Sequence, residues 1–145
     1  MKIPTIIVDI DGTLAHMTGR ISRHGKRVAP FADWDAFDDE VDEKVKEIVN
    51  LFSKSGRSII ICSGRKSSSR EVLQTWLEHN LIPFDGIFMR DKDDNRKDSI
   101  IKQEIYLRDI EPFYDVFLIL DDRDQVVKMW RDLGLKCLQV QEGNF

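Results

Sequence analysis

Apolar residues along this chain follow two different spacings. Short, mostly apolar runs occur in five places, at 4–10, 58–62, 87–89, 116–120 and 136–140. Runs of this length are typical of strands that are covered on both faces. Between them, apolar residues recur every three to four positions, which indicates amphipathic helices. This alternation predicts an α/β fold, a Rossmann-like parallel sheet with helices on both faces.

Each predicted helix has an apolar stripe that we expect to face the sheet. The stripes are Val41, Val45, Ile48, Val49 and Phe52 in the first helix; Val72, Leu73, Trp76 and Leu77 in the second; Ile100, Ile101 and Ile105, with Leu107 as a further candidate, in a third that runs from about 97 to 109; and Val126, Val127, Trp130 and Leu133 in the last. Gly56 and Gly134 follow the first and last stripes, as is common where a helix ends. Both stripe tryptophans, Trp76 and Trp130, are expected in the core.

One long segment interrupts the alternation directly after the first strand. It covers residues 13–37 and contains Gly19, Gly25 and Pro30. We interpret it as a flap, a minimal cap on a single domain that spans residues 1–145, because a chain of this length suits one domain. The segment is also basic: no acid lies between Asp11 and Asp33, whereas Arg20, Arg23, Lys26 and Arg27 all do.

Composition excludes several classes of protein. The net charge of -4 gives no general case for a nucleic-acid-binding protein, so only the local basic run argues for a polyanion. The apolar runs are far shorter than a membrane span, and no secretion signal is visible. Cys62 and Cys137 each lie in a strand-like run, which favours buried free thiols in a reducing cytosol over a disulfide.

Polar residues collect where the predicted strands end. Asp9 and Asp11 end the first strand, Ser63-Gly64-Arg65 follows the second, and Asp121 and Asp122 follow the fourth. Lys97, Asp98 and Lys102 lie at the start of the helix that precedes the fourth strand. Ligands of open parallel sheets bind at the carboxyl ends of the strands. We therefore expect these side chains to form one site.

The residue types of this site fit phosphoryl transfer with Mg²⁺. Carboxylates of Asp9, Asp121 and Asp122 and the backbone carbonyl of Asp11 are oxygen ligands of the kind that Mg²⁺ prefers. Asp9 is the candidate nucleophile, and Asp11 the general acid and base. Ser63 and the amide of Gly64 are placed to hold the transferring oxygens. Lys102 is the favoured lysine for neutralising charge, with Lys97 and Arg96 as alternatives.

The motifs resemble those of a known superfamily. Asp9-Ile10-Asp11-Gly12-Thr13 resembles the first motif of the haloacid dehalogenase-like phosphotransferases, and the other three strand-end groups match its remaining motifs in order. The resemblance implies a Rossmann-like fold, Mg²⁺ dependence and an aspartyl-phosphate intermediate. Nearly the whole chain also looks like the 3'-phosphatase domain of phage polynucleotide kinase-phosphatases, most specifically in the stretch from Leu120 to Arg131 and in Met17-Thr18-Gly19-Arg20.

This closer resemblance implies a function, a set of site residues and a class of partner. The site residues that carry over are Asp9, Asp11, Arg20, Arg65, Asp98, Lys102, Asp121 and Asp122. The implied reaction removes 3'-phosphates from DNA or RNA ends and from nucleoside 3'-phosphates. Arg20 would touch the scissile phosphate, while Arg23, Lys26 and Arg27 follow the backbone, and Lys97 is a further candidate for substrate binding. No G-x-x-x-x-G-K-[ST] motif occurs, so we expect either a stand-alone phosphatase or a separate 5'-kinase or ligase as its partner.

Two other classes remain to be separated from this interpretation. A small-molecule phosphatase, acting on nucleoside monophosphates or sugar phosphates, would use the same strand-end residues. A phospho-accepting receiver domain also places carboxylates and a lysine at strand ends, but it has no use for Asp11 beside the nucleophile. The oligomeric state is open, because the periodic apolar residues are all needed for the core.

Overall fold

A parallel sheet forms the centre of the protein, as the apolar runs predict. The structure is a computed structural model that describes residues 1–16 and 39–145. The strands in this part of the chain are β1 (Ile3–Val8), β2 (Ser58–Lys66), β3 (Gly86–Arg90), β4 (Tyr114–Asp121) and β5 (Cys137–Gln139). The α-helices are α1 (Glu43–Lys54), α2 (Arg70–His79), α3 (Asp98–Ile105) and α4 (Asp124–Asp132). A 3-10 turn (Ser67–Ser69) precedes α2, and a π-helical turn (Tyr106–Ile110) follows α3.

The order of the strands determines where a ligand can bind. All strand pairs are parallel, and the sheet has the order β3-β2-β1-β4-β5. The chain therefore builds outward from β1 to β3, crosses back, and continues on the other side with β4 and β5. Such a reversal leaves a crevice at the carboxyl ends of the two central strands, here β1 and β4.

Alternating strand residues divide the core into two layers. Ile6 and Val8 of β1 pack in the layer that α1 and α2 cover, whereas Ile7 packs in the layer that α3 and α4 cover. Trp76 and Trp130 are fully buried in opposite layers, so the prediction that both are core residues is confirmed. This α/β arrangement with helices on both faces is the predicted fold.

Two stripe residues are not where the spacing predicts. Ile48 and Ile100 are 39% and 44% exposed, so the prediction that they face the sheet is wrong. Ile48 lies at the margin of the stripe whose centre is Val45 and Val49. Ile100 precedes the buried Ile101 by one residue, which turns it about 100° around the helix. Leu107 is exposed as well, on the π-helical turn.

The two cysteines are buried and free, as predicted. Burial is the main reason that the pKa of each thiol rises to about 12, so both stay protonated and unreactive near neutral pH. The described helices are all too short or too polar to cross a bilayer. Of the predicted flap, the structure describes only the first residues: Thr13, Leu14 and Ala15 are buried in the turn after β1. The rest, residues 17–38, lies outside the described part, and the flap stays a prediction.

Candidate active site

Strand pairing brings three carboxylates together in the crevice. Val8 of β1 pairs with Leu120 of β4, and the amide of Asp9 donates to the carbonyl of Leu120 at 3.0 Å. The next residues along the two strands, Asp9 and Asp121, are therefore neighbours, and Asp122 follows directly. One carboxylate oxygen from each of the three lies within 4.8 Å of the others. All three residues are buried.

Lys102 lies between two of these carboxylates. Its Nζ donates to Asp9 Oδ1 at 2.8 Å and to Asp121 Oδ2 at 3.0 Å, and its side chain is only 1% exposed. It reaches the site because α3 packs its inner face on the sheet. Lys97 precedes that helix and is exposed, and Arg96 pairs with other acids. The structure thus brings Lys102, and neither alternative, against the carboxylates.

Charge in this cluster is not balanced, since it has three carboxylates and one ammonium group, which lies between two of them. Burial is the main reason that the pKa of Asp9 lies well above its usual value, and the charge of Asp121 raises it further. Burial likewise raises the pKa of Asp122, to about 6. For Lys102, burial alone would lower the pKa, but Asp121 and Asp9 outweigh it and hold the pKa well above its usual value. Excess buried negative charge of this kind favours a bound cation.

The turn after β1 explains the Gly-Thr pair. Gly12 has a φ of 82°, and a Cβ at this position would lie 2.0 Å from Asp122 Oδ2. Glycine is therefore required both for the backbone conformation and for the close approach of Asp122. The hydroxyl of Thr13 donates to Asp9 Oδ2 at 3.2 Å, so Asp9 is oriented through both of its oxygens.

A second buried cation lies beside the first cluster. Arg65 donates from Nε to Asp11 Oδ2 at 2.8 Å and from Nη2 to Asp11 Oδ1 at 2.5 Å. Its Nη2 also donates to Asp39 Oδ2 at 3.2 Å. Burial would lower the pKa of Arg65, but the two carboxylates outweigh it and raise that pKa. The carboxylate of Asp11 thus points to Arg65 and lies outside the carboxylate cluster, so only its backbone carbonyl stays a candidate metal ligand.

The end of β2 contacts the start of α3 closely. Ser63 is buried, and its Oγ accepts from the amide of Arg65 at 3.1 Å. A Cβ at Gly64 would lie 2.0 Å from Asp98 Oδ1, so only glycine allows this approach. Arg90 joins the two segments: its Nε donates to the carbonyl of Gly64 at 2.8 Å, and its Nη2 lies 3.5 Å from Asp98 Oδ1.

Several contacting residues are absent from the sequence-based set. Trp130 Nε1 donates to Asp121 Oδ2 at 3.1 Å, and Asp39, Thr13 and Arg90 make the contacts given above. Of these, only Thr13 had a sequence signal, as part of the D-x-D-G-T run. The predicted substrate contacts Arg20, Arg23, Lys26 and Arg27 lie outside the described residues. The remaining predicted residues all lie at the carboxyl edge of the sheet.

Fold and site together are those of the haloacid dehalogenase-like class of proteins. The same fold is seen in a class C acid phosphatase from Bacillus anthracis, which is 17% identical and matches 97% of this chain and 67% of its own with a TM-score of 0.71. The sequence pattern of a narrower family, the polynucleotide kinase PNKP phosphatase domain, matches residues 3–145. The chain belongs to that family.

More similar relatives are parts of larger proteins. A candidate bifunctional polynucleotide kinase/RNA ligase of Autographa californica nuclear polyhedrosis virus is 32% identical over 139 residues, which cover 92% of this chain and 19% of the viral protein. A chain of the Pnkp1/Rnl/Hen1 RNA repair complex is 37% identical with a TM-score of 0.91, covering 99% of this chain and 44% of its own. This chain therefore spans less than half the length of either relative.

Proposed function

We propose that this protein is a Mg²⁺-dependent polynucleotide 3'-phosphatase that removes 3'-phosphates from RNA or DNA ends and from nucleoside 3'-phosphates. The observation that carries the proposal is the buried cluster of Asp9, Asp121 and Asp122 around Lys102, in a member of the PNKP phosphatase family. One relative is a candidate bifunctional polynucleotide kinase/RNA ligase and the other is a chain of an RNA repair complex. This supports a nucleic-acid end as the substrate and a kinase or ligase as a partner.

The donor set fits a magnesium ion. Asp9, Asp121 and Asp122 offer hard oxygen atoms close together, and the backbone carbonyl of Asp11 is a fourth candidate ligand. Lys102 alone leaves the cluster with excess negative charge, which a divalent cation would offset. When bound, Mg²⁺ would reduce the repulsion between the carboxylate nucleophile and the phosphate dianion.

Asp9 is the nucleophile in this proposal. One of its carboxylate oxygens forms a bond to phosphorus while the bond from phosphorus to the 3'-oxygen breaks, and Asp11 gives its proton to that leaving oxygen. Water then attacks the aspartyl-phosphate, Asp11 takes the proton of the water, and inorganic phosphate leaves. Thr13 and Lys102 each hold one oxygen of Asp9, which fixes the carboxylate before the substrate arrives.

Arg65 connects phosphate binding to the acid. Without substrate, its guanidinium forms a two-point pair with Asp11. An entering phosphate offers the same two-point geometry and competes for the guanidinium. Arg65 then binds the phosphate while Asp39 holds Arg65 in place. The Asp11 carboxylate, released from the pair, takes up from solvent the proton that it gives to the leaving oxygen. The Ser63 hydroxyl and the Gly64 amide assist in holding the transferring oxygens.

Other roles follow from the sequence and rest on the same proposal. Asp98 is a catalytic residue beside Gly64, and Lys97 binds the substrate chain at the rim. The flap would bring Arg20 to the scissile phosphate and Arg23 and Arg27 to the backbone. Residues 1–145 act as one phosphatase domain.

Phosphate release from matched oligonucleotides tests the proposal. One oligonucleotide carries a 3'-phosphate, its twin carries a 5'-phosphate, and both are assayed with Mg²⁺ and with EDTA. We expect fast, metal-dependent release from the 3' end alone. Equal or faster turnover of the 5' twin, of free mononucleotides or of sugar phosphates would contradict the polynucleotide assignment and favour a small-molecule phosphatase. Release in EDTA would contradict the metal requirement.

A further inference from the structure

A basic cavity opens beside the candidate active site. It has a volume of about 480 Å³ and lies at the carboxyl ends of β2 and β3, next to the first turns of α3 and α4. Its charged lining consists of Lys66, Arg90, Arg96, Lys97 and Arg123, with Asp98 as the one acid in that lining. Five cations against one carboxylate give the cavity a positive potential, although the whole chain carries a net charge of -4.

Three of these cations are already engaged. Arg90 donates to the backbone carbonyls of Gly64, Asp94 and Arg96, which makes it a brace for the cavity wall. Arg96 pairs with carboxylates outside the cavity. Arg123 donates to the C-terminal backbone at Phe145 and stacks over that ring. Because these three guanidinium groups already bind protein atoms, we assign them a structural role in the cavity wall and not the binding of a ligand.

Lys66 and Lys97 differ from these arginines in their contacts. Neither makes an ion pair or a side-chain hydrogen bond with the part of the chain that the structure describes, and Lys97 is exposed at the rim. The two lysines, one at the end of β2 and one directly before α3, line the same open cavity. An ammonium group acts as a point charge that suits phosphate oxygens from many directions.

The cavity shares a wall with the catalytic cluster. Gly64 lines the cavity, while its neighbours Ser63 and Arg65 contribute to the site. Asp98 lines it too, one helical turn before Lys102. A polymer whose 3' end lies at Asp9 and whose chain follows this wall would contact the cavity, whereas a nucleoside 3'-phosphate has no internal backbone phosphate to place there.

We propose that Lys66 and Lys97 hold an internal backbone phosphate of the polynucleotide whose 3' end occupies the active site. This proposal rests on the proposed function. It adds to the active site a second binding point for the polynucleotide, at the carboxyl ends of β2 and β3. The cavity recognises the phosphodiester itself, so it serves RNA and DNA alike. It raises the affinity for a chain above that for a mononucleotide.

Binding of a labelled single-stranded oligonucleotide with a 3'-hydroxyl end tests this proposal without any need for catalysis. Fluorescence anisotropy is measured across a salt series for the wild type and for the Lys66→Ala/Lys97→Ala variant, with RNA and with DNA. We expect about tenfold weaker binding at low salt and a salt slope reduced by about 0.7, because the two lysines neutralise one phosphate of a single strand. A Lys54→Ala/Lys92→Ala variant has the same change in net charge, and both of its lysines are exposed outside the cavity.

The kinetic counterpart is the ratio of KM for a nucleoside 3'-phosphate to KM for the 3'-phosphorylated oligonucleotide. We expect this ratio to fall in the Lys66/Lys97 variant and not in the Lys54/Lys92 control. Unchanged binding and slope, or an equal loss in the control, would overturn the proposal. If the wild type binds the oligonucleotide through these lysines but releases no phosphate, the cavity stands and the proposed phosphatase function fails.

Discussion

Two clusters in this protein have the same pattern of charges, but the pKa values of their carboxylates shift in opposite directions. Each places one cation between two carboxylates. They are the buried triad of Asp9, Lys102 and Asp121, and the exposed triad of Asp94, Arg96 and Glu104. Their hydrogen bonds are equally short: Lys102 Nζ lies 2.8 and 3.0 Å from its partners, and Arg96 Nη2 lies 2.8 and 2.6 Å from its own.

The difference is desolvation. In the exposed triad, Arg96 is the main reason that the pKa of Asp94 falls to about 2. In the buried triad, the pKa of Asp9 rises despite Lys102, because burial and a neighbouring carboxylate outweigh the cation. An exposed pair is screened by water and contributes little to stability. A buried cluster of like charges is costly on its own and indicates a site that awaits a ligand.

The largest effect that we expect is on activity, and it differs between the two triads. Asp9→Asn removes the nucleophile, so we expect phosphate release to fall by about a thousandfold or more. The thermal midpoint should change little, because the amide also removes one of the crowded negative charges. The matched change in the exposed triad, Asp94→Asn, should leave the rate near that of the wild type. An Asp9→Asn protein that keeps a tenth of the activity would show that another group attacks phosphorus.

The second effect separates the triads by stability. Lys102→Met leaves two buried carboxylates without their counter-charge, and removing one partner of a buried pair costs about 3–5 kcal/mol. Urea unfolding in EDTA measures this loss. Arg96→Met removes the cation of the exposed triad and should give no resolvable change in the midpoint. Equal midpoints for the two variants would mean that Lys102 does not stabilise the metal-free site.

The contrast also shows what could be predicted from the sequence. The acids at the ends of β1 and β4 were predictable because parallel strands end at one edge of the sheet, so apolar runs followed by Asp9 and Asp121 suffice. The choice of Lys102 over Lys97 was predictable only in part. Lys97 directly precedes α3, whereas Lys102 lies in its last turn, so the point at which the helix begins determines which lysine can face the sheet.

The remaining contacts depend on packing that no local pattern encodes. Asp39 reaches Arg65 across 26 residues of sequence, and Arg90 joins the end of β3 to the carbonyl of Gly64. Trp130 belongs to a stripe that predicts burial, yet a stripe does not tell which acceptor the indole finds. For the same reason, the spacing predicts burial for Ile48 and Ile100, whereas both are exposed in the structure.

We expect Mg²⁺ to bind at the buried triad and not at the exposed triad. A ligand that binds only the folded state adds about 2.7 kcal/mol when its free concentration is one hundred times its Kd. We therefore expect the thermal midpoint to rise with added Mg²⁺ and to return with EDTA. Asp121→Asn should abolish the rise, and Asp94→Asn should keep it. A rise that persists in Asp121→Asn would place the ion elsewhere.

The smallest effect comes from the indole behind the metal-ligand candidate. Trp130→Phe keeps most of the apolar volume but removes the donor to Asp121 Oδ2, a hydrogen bond worth about 1 kcal/mol. Groups that orient a metal ligand usually change metal affinity about tenfold or more. We expect a Kd for Mg²⁺, measured from the thermal shift, that is about tenfold higher, with a smaller change in kcat.

A second tryptophan supplies the control for this last test. Trp76 is buried to the same degree, and its Nε1 donates at 2.9 Å to the carbonyl of Asp39 in the opposite core layer. Trp76→Phe therefore removes one indole hydrogen bond from the core without touching Asp121. If both variants lose stability alike but only Trp130→Phe weakens Mg²⁺, the indole acts by orienting Asp121. Equal Mg²⁺ affinities in the two variants would mean that Trp130 acts only in packing. Of the two donors to Asp121 Oδ2, Lys102 alone would then orient this carboxylate.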